Sequence, residues 1–578
     1  MPKMTGGDIV VRALEDEGVP FTFGIPGTHN IELYDSLRRS TTVRPILVTD
    51  EQSASFMADA VSRSSGRLGC VNVVPGAGLT HALSGIAEAY LDGIPMLVLG
   101  CGIRQDSAAK AYQLHDVDQT GIVRPVTKAQ LRPARGSDIY ATIRRACQIA
   151  RTPPAGPTFV EIPADHYLFQ HEPGFDAWSS STASEDAGPT RGSFADVHER
   201  LARSRRPLLY LGLGAEGACH DLVALAERLE APVATTIQGK GVFPESHPLW
   251  LWCGFGRAAP PFARRIAGAC DLTLAIGCRF SEVGTGSYGI EPPTPLIHVD
   301  IDEEVLGRNF AAEVGVSADA GEFVAALLET LAPKEHDRQL REEIQAGHEK
   351  VRSEQVGKKG NGVTPALLLR TLQDIYGSET IFTTDSGNGT FLAMESLRLD
   401  RPRSFLAPVD YSCMGYSVPA AVGAALACPD RPAVAIAGDG AFLMTGLELL
   451  TAGQLQLPVT VLVLRDRELA QIAQFQQTAL ARKTASVLPD YDLAALSQAL
   501  GIEHLPLRDD GEIGSVLHQA KQSHDGRKPV LIEVEVDYSQ ATYFTRGVVM
   551  TNLGRLPWLD RLRFVARALG RKLVPRGG

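Results

Sequence analysis

Two aspartates stand where a cation and a phosphate group could bind. Asp439 lies in the triplet Gly438-Asp439-Gly440 after one apolar run, and Asp466 follows the next apolar run 27 positions later. A helical stretch separates the runs, which predicts a βαβ unit whose two turns meet at the carboxyl ends of neighbouring parallel strands. Two carboxylates suit Mg²⁺, and free N–H groups at a helix start suit a diphosphate. The alternative is an ordinary turn, in which Gly-Asp-Gly also occurs.

The elements that position these residues recur three times along the chain. Buried β-type runs alternate with helical segments over 5–165, 193–333 and 364–536. Such alternation indicates parallel sheets covered on both faces, so the predicted fold class is α/β with three doubly wound parallel-sheet domains. The predicted segments are a first domain at 1–175, a Ser/Thr/Gly/Pro linker at 176–192, a central domain at 193–335, a helical connector at 336–362, a third domain at 363–545 and a basic amphipathic helical tail at 546–578.

Composition excludes several classes of protein. The chain has 578 residues, 44% hydrophobic and 21% charged, which is typical of a soluble multidomain protein. A net charge of −11 argues against nucleic-acid binding. Nine scattered cysteines without a Cys-x-x-Cys pair favour a reducing compartment. No apolar run reaches about 18 residues and no signal peptide is evident, so a cytoplasmic location is expected.

Several segments together resemble the thiamin-diphosphate (ThDP) enzyme superfamily, and acetolactate synthase in particular. They are FGIPG, TDEQSASFMADAVSR, VVPGAGLTHALSGIAEAYLDGIPMLVLG, GPTFVEIPAD, YSCMGYSVPAAVGAALA and the segment around Gly-Asp-Gly. They follow the order of that superfamily and span about residues 5–543. The resemblance implies a pyrimidine-binding domain, a central domain and a diphosphate-binding domain.

The resemblance also implies roles for individual residues. Glu51 takes the position of the glutamate that activates the coenzyme through its aminopyrimidine ring; its alternative role is to complement a helix dipole. Met414 takes the position of the residue that props the coenzyme into a V shape, or else it is a core methionine. The metal ligands would be Asp439, Asp466 and the backbone carbonyl of Glu468. The remaining coenzyme contacts would come from Pro26, Gly27, Gly76, Gly438, Gly440 and Ala441.

Departures from the acetolactate synthase pattern concern the substrate. His115 replaces a glutamine and could act as an acid or base, or it is a surface histidine. Val283 replaces an arginine that binds FAD, so FAD is possible but not favoured. Phe475 replaces a tryptophan that selects the second substrate, and Gln474 is expected beside it in the pocket. Arg465-Asp466 replaces Asn-Asn, and Arg465 is expected to offset the added negative charge.

The function that the resemblance implies is ThDP- and Mg²⁺-dependent cleavage of a 2-oxo acid, with transfer of the resulting enamine to a second carbonyl compound. The alternatives are a non-oxidative 2-oxo acid decarboxylase, an FAD-linked pyruvate oxidase-like enzyme and a non-catalytic ThDP-fold subunit. Because Glu51 and the diphosphate site lie on different domains, a homodimer or homotetramer with sites at the subunit interface is expected. The basic tail could contact a membrane surface, but packing on the protein is the favoured interpretation.

Overall fold

The computed structural model describes residues 2–106, 109–178, 194–356 and 360–573. The predicted linker at 176–192 lies largely outside the described residues. Three parallel sheets of six strands each carry the fold, with helices on both faces, which confirms the predicted fold class. None of the helices in the described ranges combines the length and the apolar character that crossing a membrane requires.

In the first domain a short antiparallel pair of strands, β1 with β8, joins the beginning of the domain to its end. Its strands are β1 (Met4–Thr5), β2 (Phe21–Gly24), β3 (Arg44–Leu47), β4 (Gly69–Val73), β5 (Met96–Gly102), β6 (Ala129–Leu131), β7 (Pro157–Pro163) and β8 (Gln170–His171). Its helices are α1 (Gly6–Asp16), α2 (Ile31–Arg39), α3 (Glu51–Ser65), α4 (Ala77–Asp92), α5 (Gln119–Val123), α6 (Ile139–Arg151) and α7 (Ala164–Leu168). The parallel sheet has the order β3-β2-β4-β5-β7-β6.

The central domain has the strand order of a dinucleotide-binding sheet. Its strands are β9 (Pro207–Leu211), β10 (Val233–Thr235), β11 (Trp250–Cys253), β12 (Leu272–Ile276), β13 (Leu296–Asp300) and β14 (Val314–Ser317). Its helices are α8 (Phe194–Arg203), α9 (Cys219–Leu229), α10 (Pro261–Gly268) and α11 (Ala320–Thr330). The order is β11-β10-β9-β12-β13-β14, and the helix α12 (Arg338–Val356) follows this domain in the chain.

The third domain repeats the strand order of the first. Its strands are β15 (Ile381–Thr384), β16 (Phe405–Leu406), β17 (Ala433–Gly438), β18 (Val459–Arg465), β19 (Glu503–Leu507) and β20 (Val530–Glu535). Its helices are α13 (Pro365–Tyr376), α14 (Asn388–Ser396), α15 (Ser417–Ala427), α16 (Asp439–Thr445), α17 (Leu449–Gln454), α18 (Ala470–Leu480), α19 (Leu493–Leu500) and α20 (Ile513–Asp525). The order β16-β15-β17-β18-β20-β19 matches the first sheet position by position.

Helices α3 and α15 join the first and third domains. They hold equivalent places in the two sheets, because each connects the edge strand to the third strand in chain order. Small residues let them approach closely: a Cβ added at Gly423 would lie 2.5 Å from the carbonyl oxygen of Met57. Val418, Ala421 and Val422 share one hydrophobic core with Met57. The two domains therefore pack as a pseudo-symmetric pair.

The tail forms two further helices, α21 (Tyr543–Arg555) and α22 (Trp558–Leu573). α21 docks on the central domain, where Asn552 Nδ2 donates to Ser287 Oγ at 3.3 Å. α22 contacts α18, where Arg571 Nη1 donates to the Ala479 carbonyl at 3.1 Å, while Trp558 and Leu562 are 67% and 58% exposed. The side chains of Val565, Leu569 and Leu573 lie outside the described part of the structure.

Candidate active site

Asp439 and Asp466 lie at the carboxyl ends of adjacent strands. β17 pairs in parallel with β18 from Ala433 to Gly438, so both strands end at the same edge of the sheet. Asp439 is 1% exposed; its Oδ1 accepts the Gly440 N–H and its Oδ2 accepts the Arg467 N–H, both at 2.8 Å. Asp466 Oδ1 accepts the Glu468 N–H at 3.3 Å. These hydrogen bonds to backbone N–H groups fix both carboxylates at the carboxyl edge of the sheet.

Burial raises the pKa of both carboxylates. Burial raises the pKa of Asp466, and repulsion from Asp439 raises it further, to about 7. Burial also raises the pKa of Asp439, although backbone N–H donors oppose this shift. A pair of hard oxygen ligands whose charges repel is a donor set that a divalent cation would stabilise. The residues present therefore fit the Mg²⁺ ion that the sequence predicts.

Glu468 and Arg465, which flank the carboxylate pair, form ion pairs with other residues. The Glu468 carboxylate forms an ion pair with Lys483, so its backbone carbonyl remains the candidate ligand. Arg465 is buried and turns to other carboxylates: its Nη2 lies 2.9 Å from Asp490 Oδ1 and its Nε lies 2.8 Å from Glu533 Oε1. Arg465 still lowers the pKa of Asp439 through its charge, but its guanidinium is held by those two carboxylates.

Open space lies beside the start of α16. A Cβ added at Gly438 would meet no described atom within 4 Å, and Gly438, the N-cap residue, makes no side-chain cap of the helix. Gly440 differs, because a Cβ there would come within 2.6 Å of Leu469, and Ala441 is buried behind it. A diphosphate would fit in the open space beside Gly438, while the Gly440 N–H already donates to Asp439 Oδ1.

Asp385 is a site residue that sequence reasoning missed. It follows β15, is 3% exposed, and accepts N–H bonds from Gly415 at 2.8 Å and from Ser417 at 3.0 Å. The Gly415 carbonyl in turn accepts the Thr445 hydroxyl of α16 at 2.7 Å. This network holds the half-buried Met414 beside α16, where the sequence places the coenzyme support. The sheet order reverses between β15 and β17, and ligands bind at such points.

Glu51 begins α3 at the carboxyl edge of the first sheet. The Asp50 side chain caps the helix by accepting the Gln52 N–H, and Glu51 itself is 7% exposed. Gly78 makes room for its carboxylate, since a Cβ there would lie 3.0 Å from Glu51 Oε1. His81 Nδ1 lies 3.4 Å from Glu51 Oε2 on the solvent side. A buried carboxylate is suited to exchanging a proton with a bound ring nitrogen.

His115 lies against the glycine turn that the sequence singles out. Its backbone oxygen would be 3.2 Å from a Cβ at Gly76, which has φ +62°. The Gly76 N–H donates to Gln119 Oε1 at 3.1 Å. His115 also meets His29, with ring centroids 5.5 Å apart at 66°. Burial lowers the pKa of His29, and repulsion from His115 lowers it further.

His29 is the second residue that sequence reasoning missed. It lies in the loop after β2 that also contains Pro26 and Gly27, where the Gly27 N–H donates to Asn30 Oδ1 at 2.8 Å. The order of the first sheet reverses between β2 and β4, which brings this loop beside the turn that precedes α4. This reversal could have identified His29 as a site residue, but the strand order that reveals it is known only from the structure.

Gln474 and Phe475 lie on α18, directly after the Asp466 turn. Gln474 Oε1 accepts the Asn388 Nδ2–H at 3.4 Å, which links α18 to the start of α14. Phe475 is half-buried. Both predicted pocket residues therefore border the third-domain end of the site, and Asn388 joins them.

A cavity of about 640 Å³ lies where the three domains meet. It includes the reversal point of the central sheet between β9 and β12. Gly212 and Gly214 pack on Gly277, since a Cβ at Gly212 would be 2.0 Å from the Gly277 carbonyl oxygen. Loop packing thus accounts for these glycines without a nucleotide. Val283, which stands at the arginine position, packs against the core of the central domain.

Comparison with known proteins covers all three domains. The description "Thiamine pyrophosphate enzyme, N-terminal TPP binding domain" matches residues 4–122, the central domain of the same enzymes matches 194–327, and their C-terminal TPP binding domain matches 385–534. A probable acetolactate synthase large subunit of Methanocaldococcus jannaschii is 30% identical over 562 residues, 93% of either chain.

The chain belongs to the thiamine pyrophosphate enzyme family. The coenzyme is the thiamin diphosphate that the sequence predicts. The chain is also 30% identical to the acetolactate synthase isozyme 3 large subunit of Escherichia coli, over 94% of this chain and 96% of that one. A probable 2-ketoarginine decarboxylase of Pseudomonas aeruginosa is 32% identical over 86% of this chain and 88% of its own. These findings confirm a ThDP-dependent, acetolactate synthase-like enzyme.

Proposed function

We propose that this thiamine pyrophosphate enzyme binds Mg²⁺ with its coenzyme, cleaves a 2-oxo acid and joins the remaining fragment to a second carbonyl compound. The observation that carries the proposal is that two groups of residues suit the two ends of the coenzyme. A carboxylate pair lies beside an open helix start in the third domain, and Glu51 is buried in the first domain. The acetolactate synthase large subunits among its relatives support carboligation as the reaction type.

The residues of this chain would divide the work between the two ends. Asp439, Asp466 and the Glu468 carbonyl would hold Mg²⁺, and the diphosphate would occupy the open space beside Gly438 at the start of α16. Met414 would support the coenzyme between its rings. Glu51 would hold and exchange a proton at a nitrogen of the aminopyrimidine ring. Bound thiamine pyrophosphate supplies an electron sink that allows a 2-oxo acid to lose carbon dioxide.

We propose that a second copy of this chain completes each site. The described neighbours of Glu51 belong to the first domain, and those of the Asp439–Asp466 pair belong to the third. Exposed apolar side chains recur from α16, which begins at Asp439, through the turn after it and into α17: Leu443, Met444, Leu447 and Leu450. Contiguous exposed apolar side chains mark interaction surfaces. A symmetric homodimer would cover these side chains and bring one chain's Glu51 to the other's carboxylate pair.

The second candidate function is non-oxidative decarboxylation of a 2-oxo acid. His115 favours it, because an imidazole at the Gly76 turn could donate the proton that releases an aldehyde. The relative described as a 2-ketoarginine decarboxylase supports the same candidate. A flavin-linked oxidase would need the 640 Å³ cavity to hold FAD, which visible absorbance of the purified protein tests directly.

Product analysis separates the two candidates. We expect the protein with ThDP, Mg²⁺ and a panel of 2-oxo acids, including pyruvate and 2-ketoarginine, to release carbon dioxide and form mainly condensed product. His115→Gln should lower the remaining free aldehyde by at least about tenfold, because glutamine cannot donate the proton. Exposed His220 in the central domain gives the matched control, His220→Gln.

The product ratio decides between the candidates. If aldehyde is the sole product of the unmodified protein and falls in His115→Gln, the reaction is decarboxylation and the carboligation proposal is wrong. An unchanged ratio in His115→Gln would exclude His115 as the proton donor.

A further inference from the structure

A buried glutamate of the third domain holds the loop that carries Glu51. Glu448 lies between α16 and α17 and is 0% exposed. Its Oε1 accepts the Thr49 N–H at 2.7 Å and also the Thr49 hydroxyl, and its Oε2 accepts the Thr451 hydroxyl at 2.8 Å. Thr49 lies two residues before Glu51, so the last turn before α3 is fixed by a carboxylate from another domain.

A buried glutamate of the first domain makes the reciprocal contact. Glu88 lies on α4, is 0% exposed, and its Oε2 accepts the Cys413 N–H at 3.0 Å. Cys413 directly precedes Met414. One turn further along α4, Asp92 Oδ1 accepts the Asp410 N–H at 3.2 Å. The loop that carries Met414 is therefore held by carboxylates of the first domain.

The two contacts occupy equivalent places in the duplicated sheets. α4 follows β4, and α16 with α17 follows β17; β4 and β17 hold the same position in their sheets. Thr49 precedes α3 and Cys413 precedes α15, the two helices that pack on each other. The pseudo-symmetry of the domain pair thus generates both contacts.

Burying an isolated carboxylate costs free energy unless hydrogen bonds offset it. Burial raises the pKa of Glu448, and the Thr49 and Thr451 donors oppose that shift. Apolar side chains of similar size would fill both positions without this cost. A carboxylate at each place therefore indicates a role in setting the loop rather than in filling space.

We infer that Glu448 and Glu88 are positioning residues through which each cofactor domain fixes the site-bearing loop of the other domain in the same chain. The inference rests on the proposed function for the roles of Glu51 and Met414. In the dimer, Glu51 and Met414 of one chain would belong to two different active sites. Glu448 and Glu88 therefore also link the geometry of one active site to that of the other.

Hydrogen–deuterium exchange of the full-length protein, without and with ThDP and Mg²⁺, tests the contact itself. Glu448→Ala should speed amide exchange in segment 47–52 about fivefold to tenfold, because one N–H partner is lost. With coenzyme bound, exchange of its C2 proton should slow about tenfold while ThDP affinity stays within about threefold. Glu448→Gln, whose amide oxygen still accepts the Thr49 N–H, should restore both rates.

A matched control separates positioning from general loss of packing. Glu395 is also buried and accepts a backbone N–H, that of Phe544 at 2.8 Å, but it lies away from the α3–α15 contact. Glu395→Ala should leave exchange in segment 47–52 and the C2 rate unchanged. Glu88→Ala should speed exchange in segment 409–415 and weaken ThDP binding.

Thr49→Val provides a variant that keeps the third domain intact and removes only the hydroxyl bond. A smaller increase of exchange in segment 47–52 is expected. The inference is wrong if exchange in that segment is unchanged in both Glu448→Ala and Thr49→Val, or if Glu395→Ala has the same effect as Glu448→Ala. Absence of ThDP binding by the unmodified protein would instead overturn the proposed function, while the exchange result without coenzyme would stand.

Discussion

Glu51→Gln is expected to slow deuterium exchange at C2 of bound thiamine pyrophosphate by about 10²–10⁴-fold, the usual range for losing a general acid–base group. Glutamine has the size of glutamate and begins α3 equally well, but it cannot exchange a proton with the aminopyrimidine ring. ThDP affinity should stay within about threefold, because the diphosphate and metal contacts lie in the third domain. Proton NMR of acid-quenched samples measures the exchange.

Asp50→Asn is the control for Glu51→Gln. Asp50 is the adjacent carboxylate, and asparagine retains its capping of α3. The exchange rate should remain within about threefold of that of the unmodified protein. A Glu51→Gln variant that exchanges C2 deuterium at the unmodified rate would remove Glu51 from its proposed role.

Asp439→Ala is expected to weaken binding of ThDP with Mg²⁺ by at least about 100-fold, which corresponds to about 2.7 kcal/mol. The substitution removes a hard ligand and also the acceptor of the Arg467 and Gly440 N–H groups. Isothermal titration calorimetry with and without Mg²⁺ measures the loss. Binding at the unmodified affinity would contradict the metal site.

Asp466→Asn is the matched control, because asparagine keeps an oxygen ligand and removes one charge. In the metal-free protein the pKa of Asp466 is about 7, above its ordinary value of 3.8. The folded state therefore holds a proton that the unfolded state has lost between these values, and its stability falls as pH rises through that window. Mg²⁺ must displace this proton, so affinity should fall about tenfold per pH unit below 7. Asp466→Asn should lack this dependence.

That Asp439 and Asp466 lie close together could be predicted because its signal is local. Gly-Asp-Gly after a strand and Asp466 after the next strand lie on one βαβ unit, so parallel pairing brings them to one edge. Glu51 could be placed for the same reason, at the end of β3. Asp439 and Asp466 lie in one βαβ unit, and Glu51 lies in the βα turn after β3, so short-range sequence patterns were enough to place them.

Residues whose role depends on strand order could not be predicted from the sequence. Asp385 and His29 meet their neighbours only because the sheets reverse direction at β15 and at β2. The orientation of Arg465 depends on Glu533, 68 positions away on β20. Thr49 and Glu448 are 399 positions apart and meet only through the packing of two domains.

The tail shows a different limit of sequence reasoning. Helical spacing of apolar residues predicts an amphipathic helix, and α22 forms. Spacing does not determine what covers the apolar side, and the described apolar residues Trp558 and Leu562 are exposed. One contact of α22 with α18, from Arg571 Nη1 to the Ala479 carbonyl at 3.1 Å, involves a basic residue.

Subunit mixing tests the central claim most directly, namely that one coenzyme lies between Glu51 of one chain and the Asp439–Asp466 pair of another. Glu51→Gln and Asp439→Ala chains, each inactive alone, should regain about a quarter of the unmodified activity when equal amounts exchange subunits. Half of the dimers are then mixed, and each mixed dimer has one intact site of two. Mixed dimers that form, as native mass spectrometry can show, yet remain inactive would contradict the account.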